Sequence, residues 1–293
     1  MKLPHNSLAT VLTIAGSDSS SGAGLQADLK TIHALGGYAL TVSTAITAQN
    51  SLGVSAVYPL EAKIVKAQLE ALLSDYQVQA IKIGMLGNLS IVETVIETLQ
   101  QAQVKHVVLD TVLVSSSGRP LLEADALPVF INELLPLASV ITPNLLELNS
   151  LLKGNGVKTF VGQASEMEEI ALHLANLNVK AAVIKGGHSI EEAATDYLIL
   201  PSEKKEQPVE IQAYSSPRLK GNNSHGTGCT YASAIATELA KGSALPLAVK
   251  KAKDYLFQSL KNADAAQPNY RETTGEINKG RKGGLNHFYN WLK

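Results

Sequence analysis

The chain of 293 residues contains one cysteine, one tryptophan and few aromatic residues, which make up 5% of the sequence. A single cysteine excludes an intramolecular disulfide framework and a zinc site built from several cysteines. The formal net charge is -1, so the chain has no general attraction to nucleic acid or to an acidic membrane surface. No apolar run approaches the roughly 20 residues that span a bilayer, and no signal peptide is evident. We therefore expect a cytoplasmic protein without nucleic-acid or membrane partners.

Hydrophobic residues are abundant, at 45%, which allows a large core. Short runs rich in Val and Ile predict strands at 10–15, 39–47, 80–85, 106–114, 139–142 and 181–185. Patterns with helical spacing lie at 62–73, 91–99, 167–177 and 247–260. The strands lack alternation, as is typical of strands buried on both faces, and only 196–200 and 209–213 suggest an antiparallel pair. We predict one α/β domain over residues 1–293, a three-layer α/β/α sandwich with a mostly parallel central sheet.

A glycine-rich loop, GSDSSSGAG at residues 16–24, follows the first predicted strand. Its last part, continuing into the next helical pattern, fits the dinucleotide fingerprint G-x-G-x-x-A. That fingerprint requires an acidic residue about 20 positions on to hold the ribose, and none occurs between Asp28 and Glu61. A nicotinamide cofactor is therefore disfavoured. The loop is either a substrate loop or a simple turn.

Polar residues follow three further predicted strands. Gln49 offers an amide suited to an aminopyrimidine or carboxamide edge, although from spacing alone an ordinary turn amide is the favoured explanation. Asp110 and Glu147 provide the hard oxygen ligands of a magnesium–nucleotide site, although helix caps and surface ion pairs account for most acidic residues. Ligands of open α/β sheets bind beyond the carboxyl ends of the strands, where these residues are expected.

The strongest signal is NSHGTGCT at residues 223–230, which opens a helical pattern. Glycines at a helix start let backbone amides converge, and with the helix dipole they form an anion site. Such a site can stabilise a migrating phosphoryl group. Cys229 lies in the first turn, where we expect its thiol pKa to be lowered. The alternative is an inert cysteine behind a plain turn.

Other motifs carry less information about function. The basic sequence NKGRKGG at 278–284 is interpreted as a solvated loop, with a phosphate-directed role as the alternative. The P-loop, nucleophile-elbow and H-E-x-x-H motifs are absent from the sequence.

Eight segments, in order along nearly the whole chain, resemble the hydroxymethylpyrimidine and phosphomethylpyrimidine kinases of thiamine biosynthesis, in the ribokinase-like superfamily. They are TIAGSDSSSGAGLQADLKT, TAQNSLGV, KIGML, VLDTVLV, SGRPLL, VITPNLLEL, KGGH and NSHGTGCTYASAIA, followed by LNHFYNWL. The resemblance implies a ribokinase-like fold. It also implies two phosphoryl transfers from ATP, first to 4-amino-5-hydroxymethyl-2-methylpyrimidine and then to its monophosphate.

The resemblance also implies roles for individual residues. The pyrimidine would be surrounded by Gly16, Ala23, Thr47, Gln49, Met85, Val112 and Cys229. Asp110 and Glu147 would serve Mg²⁺ and its waters, and Asn144 and Lys185 would lie toward the nucleotide. Gly226, Thr227 and Gly228 would form the anion hole. Cys229 replaces the aspartate base of related sugar kinases, so a thiolate there is a hypothetical proton acceptor.

The sequence departs from the family at two places. Ser116 stands where relatives commonly have a lysine, and we expect Arg119 to supply the missing positive charge, mainly for the second phosphorylation. Ser21 replaces a glycine and is expected to adopt an ordinary conformation unless it is strained.

Two alternatives remain at this point. A pyridoxine, pyridoxal or pyridoxamine kinase would use the same scaffold, because those rings also carry a hydroxymethyl group. A non-catalytic sensor would bind the pyrimidine without transferring phosphate. Dimers are common in the superfamily, so a homodimer is expected. The kinase interpretation requires Gln49 to lie beside the loop that precedes Cys229.

Overall fold

The computed structural model describes residues 8–114, 120–153, 157–188, 193–201, 209–219, 221, 223–268 and 282–291. Ser116 and Arg119 lie outside these ranges, so the expectation that Arg119 replaces a lysine stays a prediction.

Nine strands form one sheet in the order β3-β2-β1-β4-β5-β6-β7-β8-β9. Their bounds are β1 Thr10–Asp18, β2 Tyr38–Asn50, β3 Gly53–Pro59, β4 Ala80–Ile83, β5 His106–Leu109, β6 Val140–Ile141, β7 Ala182–Ile184, β8 Ala193–Leu200 and β9 Glu210–Pro217. All pairings from β2 through β7 are parallel. The β3 edge and the β8–β9 edge are antiparallel. The central sheet is therefore mostly parallel, as predicted.

Among the described residues, eight α-helices cover the sheet: α1 Gly24–Ala34, α2 Ala62–Asp75, α3 Leu89–Gln101, α4 Leu127–Val129, α5 Leu145–Leu152, α6 Met167–Asn176, α7 Thr227–Ala240 and α8 Leu245–Lys261. Residues of α2, α3, α5 and α6 bury their apolar faces in one core cluster. Residues of α1, α7 and α8 form the second cluster on the other face. The two cores give the three layers of the predicted sandwich.

Several predicted elements differ in length. The strand predicted over 106–114 ends at Leu109, and Val112 and Val114 after it line a cavity instead. β1 continues through Asp18, which brings the glycine-rich loop onto the sheet. Ser21 has a φ of 63°, so it adopts the left-handed conformation of the glycine it replaces, which is the strained case of the two that were left open.

The parallel strands end at one edge of the sheet. Asp18, Asn50, Leu109 and Ile184 are the last residues of β1, β2, β5 and β7. In the part of the chain that the structure describes, no helix is long and apolar enough to cross a membrane.

Candidate active site

The two glycine-rich loops touch each other. Gly226 caps α7 with a φ of 83°, and a Cβ there would lie 1.8 Å from the carbonyl oxygen of Gly22. Gly24, with a φ of 56°, would place a Cβ 2.3 Å from the carbonyl oxygen of Gly16. Glycine is required at both positions because the backbone approaches so closely in a left-handed conformation. The loop of residues 16–24 and the start of α7 therefore form a single floor.

His225 joins this floor to Gln49. Its Nε2 atom lies 2.8 Å from Asp18 Oδ2 and 3.1 Å from the terminal amide of Gln49. Thr47 donates its hydroxyl to the carbonyl of Ser17. The amide nitrogen of Gln49 faces the His225 ring, and its oxygen lies 3.3 Å from the hydroxyl of Thr47. Gln49 thus lies beside the loop before Cys229, as the kinase interpretation requires.

Asp18, the one carboxylate of the loop of residues 16–24, accepts several hydrogen bonds. It is 2% exposed and accepts from the backbone amides of Ser20, Gly22 and Ala23. Burial acts to raise its pKa, but hydrogen bonds from His225, Ser20 and Ala23 outweigh burial and lower the pKa to about 2. Asp18 is therefore a fixed negative charge that holds the loop in shape.

A second cluster lies at the ends of β5, β6 and β7. Lys185 Nζ lies 2.9 Å from Asp110 Oδ1 and 3.6 Å from Glu147 Oε2. The carboxylate of Glu147 also accepts the amide of Asn144 in a capping box that starts α5. A Cβ at Gly228 would lie 3.4 Å from both Asp110 Oδ2 and Lys185 Nζ. The anion hole therefore packs directly on this cluster.

The charges of the cluster follow from mutual attraction. Burial opposes ionisation of Asp110, but the ammonium groups of Lys185 and Lys82 outweigh it and hold the Asp110 pKa below its usual range. The same attraction, mainly to Asp110 and then to Glu147, raises the Lys185 pKa although burial lowers it. Burial raises the Glu147 pKa, and Lys185 only partly offsets this. Asp110 and Lys185 are thus ionised at neutral pH.

This donor set fits Mg²⁺. Asp110 Oδ1 accepts from Thr142 and Lys185, whereas Oδ2 has no partner among the described residues and faces Gly228. Mg²⁺ is usually bound by one or two carboxylates together with substrate phosphates and waters. Within the described ranges, no group of three or more His, Cys, Asp and Glu forms a closed protein cage. The arrangement suits a metal ion that arrives with a nucleotide.

The prediction for the Cys229 thiol is wrong. Burial raises its pKa to about 11, and although Lys82 and the amide of Gly24 act in the opposite direction, they do not overcome it. The position at a helix start lowers a pKa only by a modest amount, and here desolvation is larger. Cys229 is therefore a neutral thiol at pH 7.

One cavity of about 1520 Å³ contains nearly all residues singled out from the sequence. That volume exceeds what one small ligand occupies and leaves room for two. The cavity is lined by Gly16, Ala23, Thr47, Gln49, Met85, Asp110, Val112, Asn144, Glu147, Lys185, Gly226, Thr227, Gly228 and Cys229.

Sequence reasoning missed two features of the site. Asp18 and His225 stand inside the quoted motifs, but no role was inferred for either, because only the fold brings them together. Lys82 and Asp28 form a fully buried ion pair next to Cys229, with Nζ 2.8 Å from Oδ2. A lysine inside the apolar run AIKIGM was the available signal, since a buried lysine needs a partner.

The basic sequence NKGRKGG at 278–284 was predicted to be a solvated loop. Residues 282–284 of NKGRKGG pack beside the site, and Gly283 is buried, so the solvated-loop interpretation is wrong for them. Residues 278–281 lie outside the described residues.

Comparison with known proteins agrees with this geometry. A family model described as phosphomethylpyrimidine kinase matches residues 18–275. A hydroxymethylpyrimidine/phosphomethylpyrimidine kinase of Rhizobium meliloti is 42% identical over 285 residues, which cover 97% of this chain and 99% of the relative. A phosphomethylpyrimidine kinase structure from Clostridium difficile matches with a TM-score of 0.71 at 39% identity, covering 85% of this chain and 98% of that one.

A Bacillus subtilis pyridoxal kinase in complex with ADP superposes with a TM-score of 0.81 at 31% identity, covering 98% of this chain and 100% of that one. The predicted resemblance and the predicted fold class are confirmed. This chain belongs to the phosphomethylpyrimidine kinase family.

Proposed function

We propose that the chain transfers the γ-phosphoryl group of ATP to the hydroxymethyl group of 4-amino-5-hydroxymethyl-2-methylpyrimidine, and then transfers a second one to the resulting monophosphate. One observation carries the proposal: the start of α7 touches both the loop beside Gln49 and the cluster of Asp110 and Lys185. A flat polar ring and a nucleotide phosphate can therefore meet at the same helix start.

The ring would lie on the Gln49 side of the cavity. Gln49 is half-buried and offers its amide to the amino group and ring nitrogen of the pyrimidine. Met85 is buried, and its sulfur lies 3.1 Å from where a Cβ on Gly16 would be, so an alanine there would press on it. Apolar walls from Met85, Val112 and Ala23 suit the methyl group and the two faces of the ring.

The phosphates would lie on the Lys185 side. Lys185 carries a fixed positive charge within reach of the anion hole formed by Gly226, Thr227 and Gly228. The first amides of a helix have no partner within the helix and stabilise negative charge. Asp110 and Glu147 would hold Mg²⁺, which supplies neutralisation of the phosphate charge when bound. Asn144 starts α5 beside Lys185 and would contact the nucleotide.

In the transfer, the substrate hydroxyl oxygen bonds to the γ-phosphorus while the bond to the bridging oxygen of ADP breaks. The chain's contribution is chiefly positioning and charge stabilisation. The hydroxyl proton must leave, and Cys229 is the candidate acceptor among the cavity residues near the helix start. With a pKa of about 11, its thiolate fraction is on the order of one in ten thousand at pH 7.

The decisive experiment is an assay with magnesium and ATP on the free pyrimidine alcohol, with chromatography of the mono- and diphosphate products. We expect both products from the wild-type enzyme and none from Asp110→Asn. Asp75→Asn, an exposed carboxylate of α2, is the matched control and should keep full activity. Binding of the ring without ADP release would instead identify a sensor.

A pyridoxal kinase is the second candidate, because the pyridoxal kinase from Bacillus subtilis superposes over the whole length of the chain. Parallel measurement of kcat/KM for the pyrimidine alcohol and for pyridoxal separates the two. We expect a preference of tenfold or more for the pyrimidine, and a reversed ratio would assign the pyridoxal activity.

We also infer that this single-domain enzyme acts as a homodimer in the cytoplasm. Support comes from β3, an edge strand that leaves Tyr58 77% exposed, opposite the 50% exposed Ile46. Exposed apolar side chains on a sheet edge mark pairing surfaces. We expect Tyr58→Lys to halve the mass measured by light scattering. Leu172→Lys, at an apolar site on α6 that is 60% exposed, should leave the mass unchanged.

A further inference from the structure

Residues 282–287, which we call the flanking segment, touch three parts of the ring side of the site. The amide of Lys282 donates to the carbonyl of Ser51, two residues after Gln49, at 2.9 Å. The carbonyl of Gly283 accepts the amide of His225 at 3.2 Å. A Cβ at Gly284 would lie 3.8 Å from Gly22 Cα. The segment therefore packs against the substrate loop, the end of β2 and the anion-hole loop.

Among these contacts, the one to His225 has the widest consequence. Its ring contacts both Asp18 and the Gln49 amide, and a Cβ at Gly22 would lie 2.2 Å from its Cδ2. Holding the backbone of His225 thus fixes where the ring sits, and the ring in turn fixes Asp18 and Gln49. The backbone hydrogen bonds of Lys282 and Gly283 run to the Gln49 side of the cavity, to Ser51 and His225.

The flanking segment is itself anchored away from the site. The amide of Asn286 donates to Ser259 at 3.1 Å, and its side chain donates to Asn262 at 3.3 Å. The hydroxyl of Tyr255 donates to the carbonyl of His287 at 3.0 Å, and the His287 ring is 4% exposed. Helix α8 therefore holds the segment in place, so its geometry is transmitted to His225.

We propose that the flanking segment is a positioning element for the ring-bearing substrate: by fixing His225 it sets the orientation of Gln49 and the substrate loop, and so the affinity for the alcohol but not for ATP. The proposal rests on the proposed function, since it assigns the two substrates to opposite sides of α7. Lys282 lines the cavity, whereas Gly283 and Asn286 are not among its lining residues and act through His225.

Neighbouring glycines give a matched pair of variants. A methyl group at Gly283 would lie 2.0 Å from Asn223 Oδ1 and 2.3 Å from Gln267 Oε1, so both side chains must move. Gln267 would then lose its hydrogen bonds to Ala263 and Gly284. A methyl group at Gly284 makes only the ordinary 3.8 Å contact. Gly283→Ala therefore disturbs the segment, and Gly284→Ala is the control.

We expect Gly283→Ala to raise KM for the pyrimidine alcohol at least tenfold while KM for ATP changes less than twofold. Gly284→Ala should stay within twofold of wild type for both substrates. Equal changes in both KM values, or a fall in melting temperature with unchanged KM values, would overturn the proposal.

A second variant keeps the test open if Gly283→Ala does not fold. Asn286→Ala removes only the side-chain anchors to Asn262 and to the amide of Phe288. We expect a threefold or larger rise in KM for the alcohol alone, and no change would count against the segment. If the wild-type enzyme phosphorylates pyridoxal rather than the pyrimidine, the proposed function fails, and the same comparison with pyridoxal still decides the segment's role. An enzyme that phosphorylates neither ring overturns both.

Discussion

Ser21 holds the left-handed backbone conformation that glycine tolerates and other residues resist. Its φ is 63°, and its amide donates to the carbonyl of Asp18 at 2.9 Å, so the tight turn is fixed. A residue with a side chain pays about 1–2 kcal/mol to adopt this conformation, and glycine avoids this cost. Glycine loses more backbone entropy on folding, however, which cancels part of that advantage.

We expect Ser21→Gly to raise the free energy of unfolding by about 0.5–1 kcal/mol, as measured by urea denaturation. Ser74→Gly, at an exposed position near the end of helix α2, should instead lower it, because glycine disfavours a helix. A destabilised Ser21→Gly protein would show that the turn carries no strain.

Variants of Cys229 test whether a neutral thiol takes part in proton transfer. Because burial raises its pKa to about 11, the thiolate fraction grows about tenfold for each pH unit between 7 and 9. If the thiolate accepts the hydroxyl proton, the ratio of wild-type kcat to that of Cys229→Ala should rise over this range. Cys229→Ser controls for the size of the side chain. Full turnover by Cys229→Ala at every pH would remove the base role.

At the scale of elements, the buried pair of Lys82 and Asp28 ties the sheet to two helices. Lys82 on β4 contacts Asp28 on α1, and the hydroxyls of Thr13 on β1 and Ser233 on α7 donate to the same carboxylate. Both charged side chains are 0% exposed. Removal of one partner leaves a buried charge without compensation, whereas removal of both does not.

We expect Lys82→Met to lower the free energy of unfolding by about 3–5 kcal/mol. The double variant Lys82→Met/Asp28→Leu should recover a large part of this loss, and comparison with both single variants gives the coupling of the two sites. Denaturant titration of the wild type, Lys82→Met, Asp28→Leu and the double variant provides the values. A double-variant loss equal to the sum of the two single losses would mean that the pair is not coupled.

Some helices and strands could be predicted from the sequence, and others could not. Helix α7 was predictable because a glycine turn precedes an apolar helical pattern, and the buried parallel strands have a strong Val and Ile signal. β3 was missed because GVSAVYP is an edge strand with little burial and no clear pattern. The strand predicted over 106–114 was too long, because apolar residues that line a cavity look the same in sequence as residues of a strand.

The site was predictable to a similar degree. Motif residues at strand ends converge on one cavity because the parallel sheet brings its carboxyl ends together. The contacts of His225 with Asp18 and Gln49, and of the flanking segment with all three loops, depend on distant parts of the chain that no local pattern specifies. The Cys229 pKa was misjudged because the extent of burial is a property of the fold.

For the whole molecule, acid stability depends on buried histidine. Burial, reinforced by nearby Lys30, lowers the His287 pKa to about 4 from its usual 6.5. The unfolded chain binds a proton at higher pH than the folded one, so stability is full above pH 6.5 and is lost as the pH falls toward 4. The loss from this group alone approaches about 3 kcal/mol.

We expect His287→Asn to flatten this dependence, so that the stability difference from wild type shrinks as the pH falls from 7 to 4.5. Urea denaturation at several pH values gives the free energy of unfolding of both proteins. Subtracting one curve from the other cancels the contribution of carboxylates that titrate in both. His173→Asn, near the end of α6, makes the same substitution at a distant histidine and serves as the comparison variant. Parallel curves for wild type and His287→Asn would contradict the assignment.

The contact between the flanking segment and the loops near Gly22 joins parts of the chain that are far apart in sequence. Contacts of this kind form late, because a large loop must close before they contribute. The single tryptophan, Trp291, packs against Phe288 just beyond this segment, with ring centroids 4.9 Å apart. In refolding from urea, enzymatic activity should therefore return in step with the tryptophan fluorescence and after the circular dichroism signal of the helices.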